Sequence, residues 1–314
     1  MKILVTGGTG FIGSHVAKSL YSQGYNVTIC DNNSRGVIDK FIKDIPIIIC
    51  DLTNPKELDK LDTDYDCVYH FAAINGTGNF YKIPHSVLRV NTLANINILD
   101  WCLKHNIPKI LSTSSSEVYA ATPNKSIPTN ESVNLTIDDV YNPRYSYAGS
   151  KILGELLFLN YQKLGLDVRI VRPHNVYGPR MGFDHVIPQV IERIHNQESP
   201  FKIYGASQTR AFCYIDDAVN AFELIMNSPE CSGKIIHLGT DEETNIELLV
   251  KKLFKISNFF PKIDLMDPLE GSVHRRCPDI TFLKSIGYTP KTPLHHGLTK
   301  SYEWYVNYFR NKIL

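Results

Sequence analysis

The chain lacks several features that would settle its role at once. No apolar stretch is long enough to span a bilayer, so no helical membrane anchor is expected. No apolar signal segment opens the chain, because Gly7 and Gly8 break the first apolar run after a few residues. Neither sign of charge dominates: 33 Lys and Arg stand against 32 Asp and Glu, a formal net charge of +1. That balance argues against nucleic acid and against a membrane surface as partners, since both need a basic field. The seven cysteines are scattered, with no C-x-x-C pair and no clustering with histidine. A structural zinc site and a disulfide scaffold are therefore not expected. Cys30, Cys50 and Cys67 fall in apolar, strand-like runs and read as reduced core residues of a cytoplasmic protein. His295 and His296 read as surface residues, with no other ligand-type residues at metal spacing, so no metal is assigned. Internal repeats and low-complexity tracts are also absent.

What is present begins at the first residue. M-K-I-L-V-T-G-G-T-G-F-I-G runs from an apolar strand (Ile3, Leu4, Val5) into Gly7, Gly10 and Gly13. An apolar helical pattern follows, carried by Phe11, Ile12, Val16, Ala17 and Leu20. Strand, glycine turn and helix together let backbone approach a pyrophosphate while the helix start offers free N–H groups. A second apolar strand ends at Asp31, where a dinucleotide-binding unit places its partner for the adenosine ribose. A carboxylate there accepts from a free ribose and repels a 2′-phosphate, so NAD is expected over NADP. Arg35 reads as a solvated loop arginine rather than a phosphate ligand.

Strand-like runs at 3–5, 27–30, 47–50, 67–71, 110–112 and 168–171 alternate with helical patterns near 87–102 and 146–164. This alternation predicts an α/β fold, a doubly wound parallel Rossmann sheet with helices on both faces. Ligands then lie at the C-terminal strand ends, next to Gly7, Asp31, Asp51, Ala72, Ser115 and Pro173. Beyond Arg172-Pro173 prolines and glycines become denser, and a smaller, mixed α/β C-terminal substrate lobe is expected. The expected division is 1–172 for the cofactor, with 212–240 returning to it through a helix (217–226) and a strand (234–238). Segments 173–211 and 241–314 would form the substrate lobe, with the substrate in the cleft between the two.

Tyr147 and Lys151 stand four apart on a predicted helix and so project from one face. An ammonium beside a phenol favours the phenolate, and the pair is expected to give a lowered phenol pKa and a general base near neutral pH. A second Tyr-x-x-x-Lys, Tyr308 and Lys312, reads as an ordinary terminal helix face. The first copy follows a serine-rich strand end, L-S-T-S-S-S-E, whose hydroxyls could steady the charge on a substrate oxygen.

T-G-G-T-G-F-I-G, D-N-N-S, D-L-T, H-F-A-A, S-S-S-E-V-Y, Y-S-Y-A-G-S-K and R-P-H-N-V-Y-G-P-R follow one another in this order. In that combination the chain resembles an extended short-chain dehydrogenase/reductase, and more narrowly the NAD-dependent epimerase/dehydratase family acting on nucleotide sugars. The tail, H-R-R-C-P-D-I followed by I-G-Y-T-P, is similar to the end of UDP-glucuronate decarboxylases. The resemblance implies that Gly7, Gly10 and Gly13 line the pyrophosphate, with Phe11 and Ile12 at the helix start. It implies Asp31 and Asn32 at the adenosine ribose and Asp51 and Leu52 beside the adenine. Phe71, Ala72 and Ala73 would run beneath the cofactor, Asn91 would support that wall, and His174 would be a further cofactor contact. Ser115 matches the catalytic hydroxyl, Tyr147 the base, and Lys151 also the grip on the nicotinamide ribose. Asn175, Arg210 and Arg276 match groups that hold the substrate's diphosphate, a task suited to the planar guanidinium fork. His185 lies where family members approach the nucleotide.

The implied first step is oxidation of the sugar C4 hydroxyl to a 4-keto sugar, with hydride passing to NAD. Epimerisation, dehydration or release of the 4-keto product then follows. Glu117 discriminates among these fates, because dehydratases of the family carry an acid at this place that removes the C5 proton. Ser-Ser-Glu here resembles both dehydratases and uronate decarboxylases, while segment 74–81 lacks the proline-rich form typical of the decarboxylases. The alternatives are a UDP-glucuronate decarboxylase-like activity, a non-catalytic NAD-sensing protein on the same fold, and an NADPH-dependent reductase, which Asp31 disfavours. Family members pair through two long helices, so 87–102 and 146–164 are expected to form a homodimer.

Overall fold

The computed structural model describes residues 1–119, 126–268 and 273–312. Alternation of strand and helix begins at once: β1 (Lys2–Thr6), α1 (Phe11–Ser22), β2 (Asn26–Asp31), β3 (Ile47–Ile49) and β4 (Cys67–His70). A short α2 (Thr77–Lys82) leads into the long α3 (Pro84–Lys104), followed by β5 (Lys109–Thr113), α4 (Tyr145–Gln162) and β6 (Asp167–Pro173). Next come β7 (Val176–Tyr177), α5 (Val186–His195), β8 (Phe201–Tyr204), β9 (Thr209–Ala211), β10 (Cys213–Tyr214) and α6 (Ile215–Asn227). Then follow β11 (Ile235–Leu238), β12 (Glu243–Asn245), α7 (Ile246–Ser257), β13 (Ile263–Met266), β14 (Arg275–Arg276), α8 (Thr281–Ser285) and α9 (Leu294–Lys312).

Seven strands form one sheet in the order β11-β6-β5-β4-β1-β2-β3. Every neighbouring pair in it is parallel. The near-continuous apolar strands require this, because a sheet covered by helices on both faces has no solvated side to receive polar residues. Strand order reverses between β1 and β4, and ligands of open α/β sheets bind at such a reversal.

One face of the sheet carries α3 and α4, sealed by Ile98, Leu99, Trp101 and Phe158. The other carries α1 and α6, and its core runs without a break from Ile3 and Val5 through Phe222 to Leu298 and Tyr305 of α9. At the surface α6 ties back to α1 through Ser19 Oγ, which donates to Glu223 Oε1 at 2.6 Å. The later elements build three small sheets, of which β12-β9-β14 supplies two arginines to the site. All seven cysteines are free and buried. No helix among the described residues is long and apolar enough to cross a membrane.

Candidate active site

A cleft of about 970 Å³ opens over the C-terminal strand ends. Its floor is made by the glycine turn, and here the glycines are needed for space as well as conformation. Gly7 has φ +67°, and a Cβ on it would lie 2.5 Å from Ala72 N. A Cβ on Gly13 would overlap Gly7 O. The turn thus lets α1 start hard against β1 with its first N–H groups facing the cleft, a cradle shaped for an anion. Phe11 and Ile12 line the same stretch.

At the end of β2 the Asp31 carboxylate accepts from Thr9 N at 3.1 Å and Asn33 N at 2.8 Å. Both bonds fix it at the rim, and Asn32, Asp51 and Leu52 complete this end of the cleft. Phe71, Ala72 and Ala73 line the wall after β4. Asn91 does not reach the cleft. It bonds Ile74 N at 2.7 Å, Ile74 O at 3.2 Å and Ser150 Oγ at 3.0 Å, and so braces the wall from α3.

Ser115, Tyr147 and Lys151 meet in the cleft. Tyr147 is 5% and Lys151 7% exposed. Phe80 of α2 stacks on the Tyr147 ring at 4.7 Å and 11°. Lys151 Nζ donates to Thr113 O at 2.7 Å and lies 5.6 Å from the centre of the Tyr147 ring. The expected lowering of the phenol is not what this arrangement produces. Burial drives Tyr147 well above the ordinary phenol value, opposed only in part by a hydrogen bond with Ser115. Burial likewise pulls Lys151 down to about 8. Removal from water disfavours the charged form of both groups, and with Lys151 turned to a backbone carbonyl this outweighs their mutual help.

The same cleft has a cationic wall. β9 and β14 run parallel with Arg210 paired to Arg276, so two guanidiniums stand side by side. Arg210 donates to Val273 O and Thr209 O, each at 2.7 Å. Burial, and then the charge of Arg276, pull Arg210 down to about 10. Arg276 Nη1 meets Glu117 Oε1 at 2.5 Å, while its Nε and Nη2 are buried without a partner. Glu117 Oε2 faces Arg144 Nη2 at 3.5 Å. Burial alone would raise the Glu117 carboxyl, but Arg276 and Arg144 overcome it and hold the group below its usual range. Three guanidiniums around one carboxylate leave two positive charges uncompensated.

Asn175 and His185 also line the cleft. Asn175 Nδ2 donates to Ala211 O at 3.4 Å. His174, expected as a cofactor contact, does not line the cleft: it is fully buried, edge-on to His237 at 4.8 Å, and both its ring nitrogens lack a partner. Arg35 is an exposed loop arginine, as expected from sequence, and it also lines the cleft. It donates to Asn75 O and faces Asp184 at 3.7 Å, across the cleft mouth. Two arginines are among the cleft residues that escaped the sequence reading. Arg144 stands three positions before Tyr147, on the same helix face, which was a usable signal. Arg180 reaches Asp39 at 2.5 Å and Ser14 at 3.3 Å, contacts no local pattern announces.

Fold and cleft together define a dinucleotide-binding class of protein whose groove holds both a tyrosine–lysine pair and a cluster of arginines. Residues 3–239 match the NAD dependent epimerase/dehydratase family. The chain belongs to that family, and its cofactor is NAD. It is 33% identical over 320 residues to the UDP-N-acetyl-alpha-D-glucosaminuronate decarboxylase of Bacillus cytotoxicus, covering 97% of each chain. The UDP-glucose 4-epimerase of Thermotoga maritima, solved with UDP-glucose, superposes with a TM-score of 0.89 at 26% identity over 100% of both chains. MoeE5, solved with UDP-glucuronic acid and NAD, gives 0.84 at 26% identity, covering 98% of this chain and 100% of its own.

Proposed function

We propose that this protein oxidises the C4 hydroxyl of a nucleoside diphosphate sugar to the 4-keto sugar. The observation that carries the reading is the presence, within one cleft, of both the Ser115–Tyr147–Lys151 group and the Arg210–Arg276 pair. Two surplus positive charges suit a diphosphate, and the unpartnered Nε and Nη2 of Arg276 offer it a planar fork. Bound NAD supplies the hydride acceptor. Tyr147 takes the proton of the C4 hydroxyl as the C4–H bond breaks, Ser115 hydrogen-bonds the same oxygen, and Lys151 holds the nicotinamide ribose. A positive charge arriving beside the phenol favours its ionised form, which burial alone opposes. Asp31 and Asn32 take the adenosine ribose, and residues 1–172 with 212–240 form the cofactor half against a substrate half of 173–211 and 241–314.

A second reading, decarboxylation of a sugar uronate, is favoured by the state of Glu117. Ion-paired to Arg276 and Arg144, this carboxylate is a weak base for the C5 proton, as dehydration would require. A C6 carboxylate placed β to a C4 ketone loses carbon dioxide with no such base, and its charge suits a site rich in guanidinium. The relatives named above act on or bind UDP-linked sugars, uronates among them. Incubation with UDP-, dTDP-, GDP- and CDP-sugars, uronates included, followed by NMR of the products, tests both readings. C4 epimers, 4-keto sugars or pentosides are the expected products; absence of any turnover and of any cofactor reduction would sink the proposal.

We also propose a homodimer built on α3 and α4, whose outer faces expose Leu88, Leu153 and Leu156. Exposed leucines on adjoining helices invite a second copy. Leu156→Glu should convert the dimer to monomer in light scattering, and a wild-type chain already monomeric would refute it. The free, buried cysteines support a reducing, cytoplasmic setting.

A further inference from the structure

Behind Tyr147 and Lys151 lies a buried ion pair that the chemistry above leaves unused. Glu155 follows Lys151 by one helical turn on α4, so the two side chains leave the same face. The Glu155 side chain is 5% exposed and that of Arg172, on β6, is 3% exposed. Arg172 grips the carboxylate with both arms of its fork, Nε to Oε1 at 2.7 Å and Nη2 to Oε2 at 2.6 Å. Ser114, just past β5, donates to Oε1 at 2.5 Å. Such a pair is weak evidence of stabilisation, because well-packed apolar residues do as well in its place. Its position beside the lysine suggests another purpose.

A small cavity of about 10 Å³ is walled by Lys151, Glu155, Asn95, Thr113, Ser114 and Gly154 among others. That is about the room one water needs, and the walls offer it several polar partners. Gly154 keeps the space open: a Cβ there would lie 2.7 Å from Asn95 Nδ2. The Lys151 ammonium has three donors. One goes to Thr113 O, one is free for the cofactor cleft, and the third needs an acceptor on the cavity side.

We propose that the cavity holds one water bridging Lys151 Nζ to the Glu155 carboxylate, and that Glu155 is a positioning residue which keeps Lys151 charged and aimed at the cofactor. The inference rests on the role given to Lys151 above. Burial pulls Lys151 down, and Glu155 is the charge that opposes this. Other groups facing the lysine do not substitute for it. Tyr147 on the same helix is held neutral by burial, His70 on β4 is pulled down to about 4 by burial, and Arg172 on β6 is cationic and engaged with Glu155.

Two measurements decide the matter. A high-resolution crystal structure of the wild-type, NAD-bound protein should show an ordered water within hydrogen-bond reach of both Lys151 Nζ and Glu155. A dry cavity overturns the proposal. The second measurement is the pH dependence of NAD affinity and of kcat in Glu155→Gln. Because an unpaired, buried Arg172 can prevent folding, the double variant Glu155→Gln/Arg172→Gln is measured beside it. Without the carboxylate Lys151 discharges earlier, so the alkaline limb should move down by about one pH unit, and Glu155→Asp should restore most of it. An unmoved limb in a folded variant overturns the proposal, and where neither variant folds the crystal structure decides. If the wild type turns over no nucleotide sugar, the functional reading fails while the water and the NAD-affinity limb stay readable.

Discussion

Tyr147 shows how far a side chain's setting can depart from what its sequence neighbours suggest. Its spacing from Lys151 and its relation to the serine-rich strand end single it out in the sequence. Nothing local announces that Phe80 will lie flat on its ring. That contact, with burial, sets the phenol above its ordinary range rather than below it. In the proposed reaction this favours a protonated phenol until positive charge reaches the site. Tyr147→Phe should lower kcat by about 10²–10⁴-fold while NAD binding, measured by calorimetry, stays within a few-fold of wild type. Retention of full turnover would remove Tyr147 from the chemistry. Glu117 carries a similar lesson: its neighbours in sequence are serines, but the groups that decide its protonation, Arg276 and Arg144, lie 159 and 27 positions away. Long-range partners of this kind leave no mark on a local pattern.

Among the elements, those buried on both sides were legible and those at the periphery were not. The six strand-like runs of the first part and the returning strand near 234–238 correspond to the seven strands of the main sheet. Each is a short apolar run between turn signals, which a parallel, covered sheet demands. The strands β7, β9, β10, β12 and β14 have two or three residues apiece, too few to display a period. They are set by register with partners distant in sequence, so the pairing of Arg210 with Arg276 could not be read in advance. The glycine turn is the opposite case, because its geometry is forced by backbone overlap. In Gly13→Ala the new methyl must displace Gly7 O, a strain of about 1–3 kcal/mol. NAD affinity should then fall about tenfold or more by calorimetry. Unchanged affinity would mean that α1 does not have to start so close to β1.

At the scale of the whole molecule, buried neutral histidines link stability to acid. Burial pulls both His15 and His70 down to about 4. His70 sits between Thr6 Oγ1 at 2.7 Å and Asn95 Oδ1 at 3.0 Å, a setting for the uncharged ring. In the unfolded chain both rings titrate near 6.5. Between there and about 4 the unfolded state binds protons that the native state refuses, so stability is full above 6.5 and is lost as pH falls. Each such ring contributes a slope of about 1.4 kcal/mol per pH unit in that window. Urea midpoints should fall accordingly, and His70→Gln should flatten the decline; a level midpoint from pH 6.5 to pH 4.5 would contradict the assignment. The sheet's own closure carries one more implication. Its outermost strand, β11, docks on β6, yet roughly 60 residues of other structure are translated between the two. A ribosome needs about 3–12 s for that stretch. For those seconds the nascent chain carries a bare, apolar sheet margin, and this is the interval in which a chaperone would have most to protect.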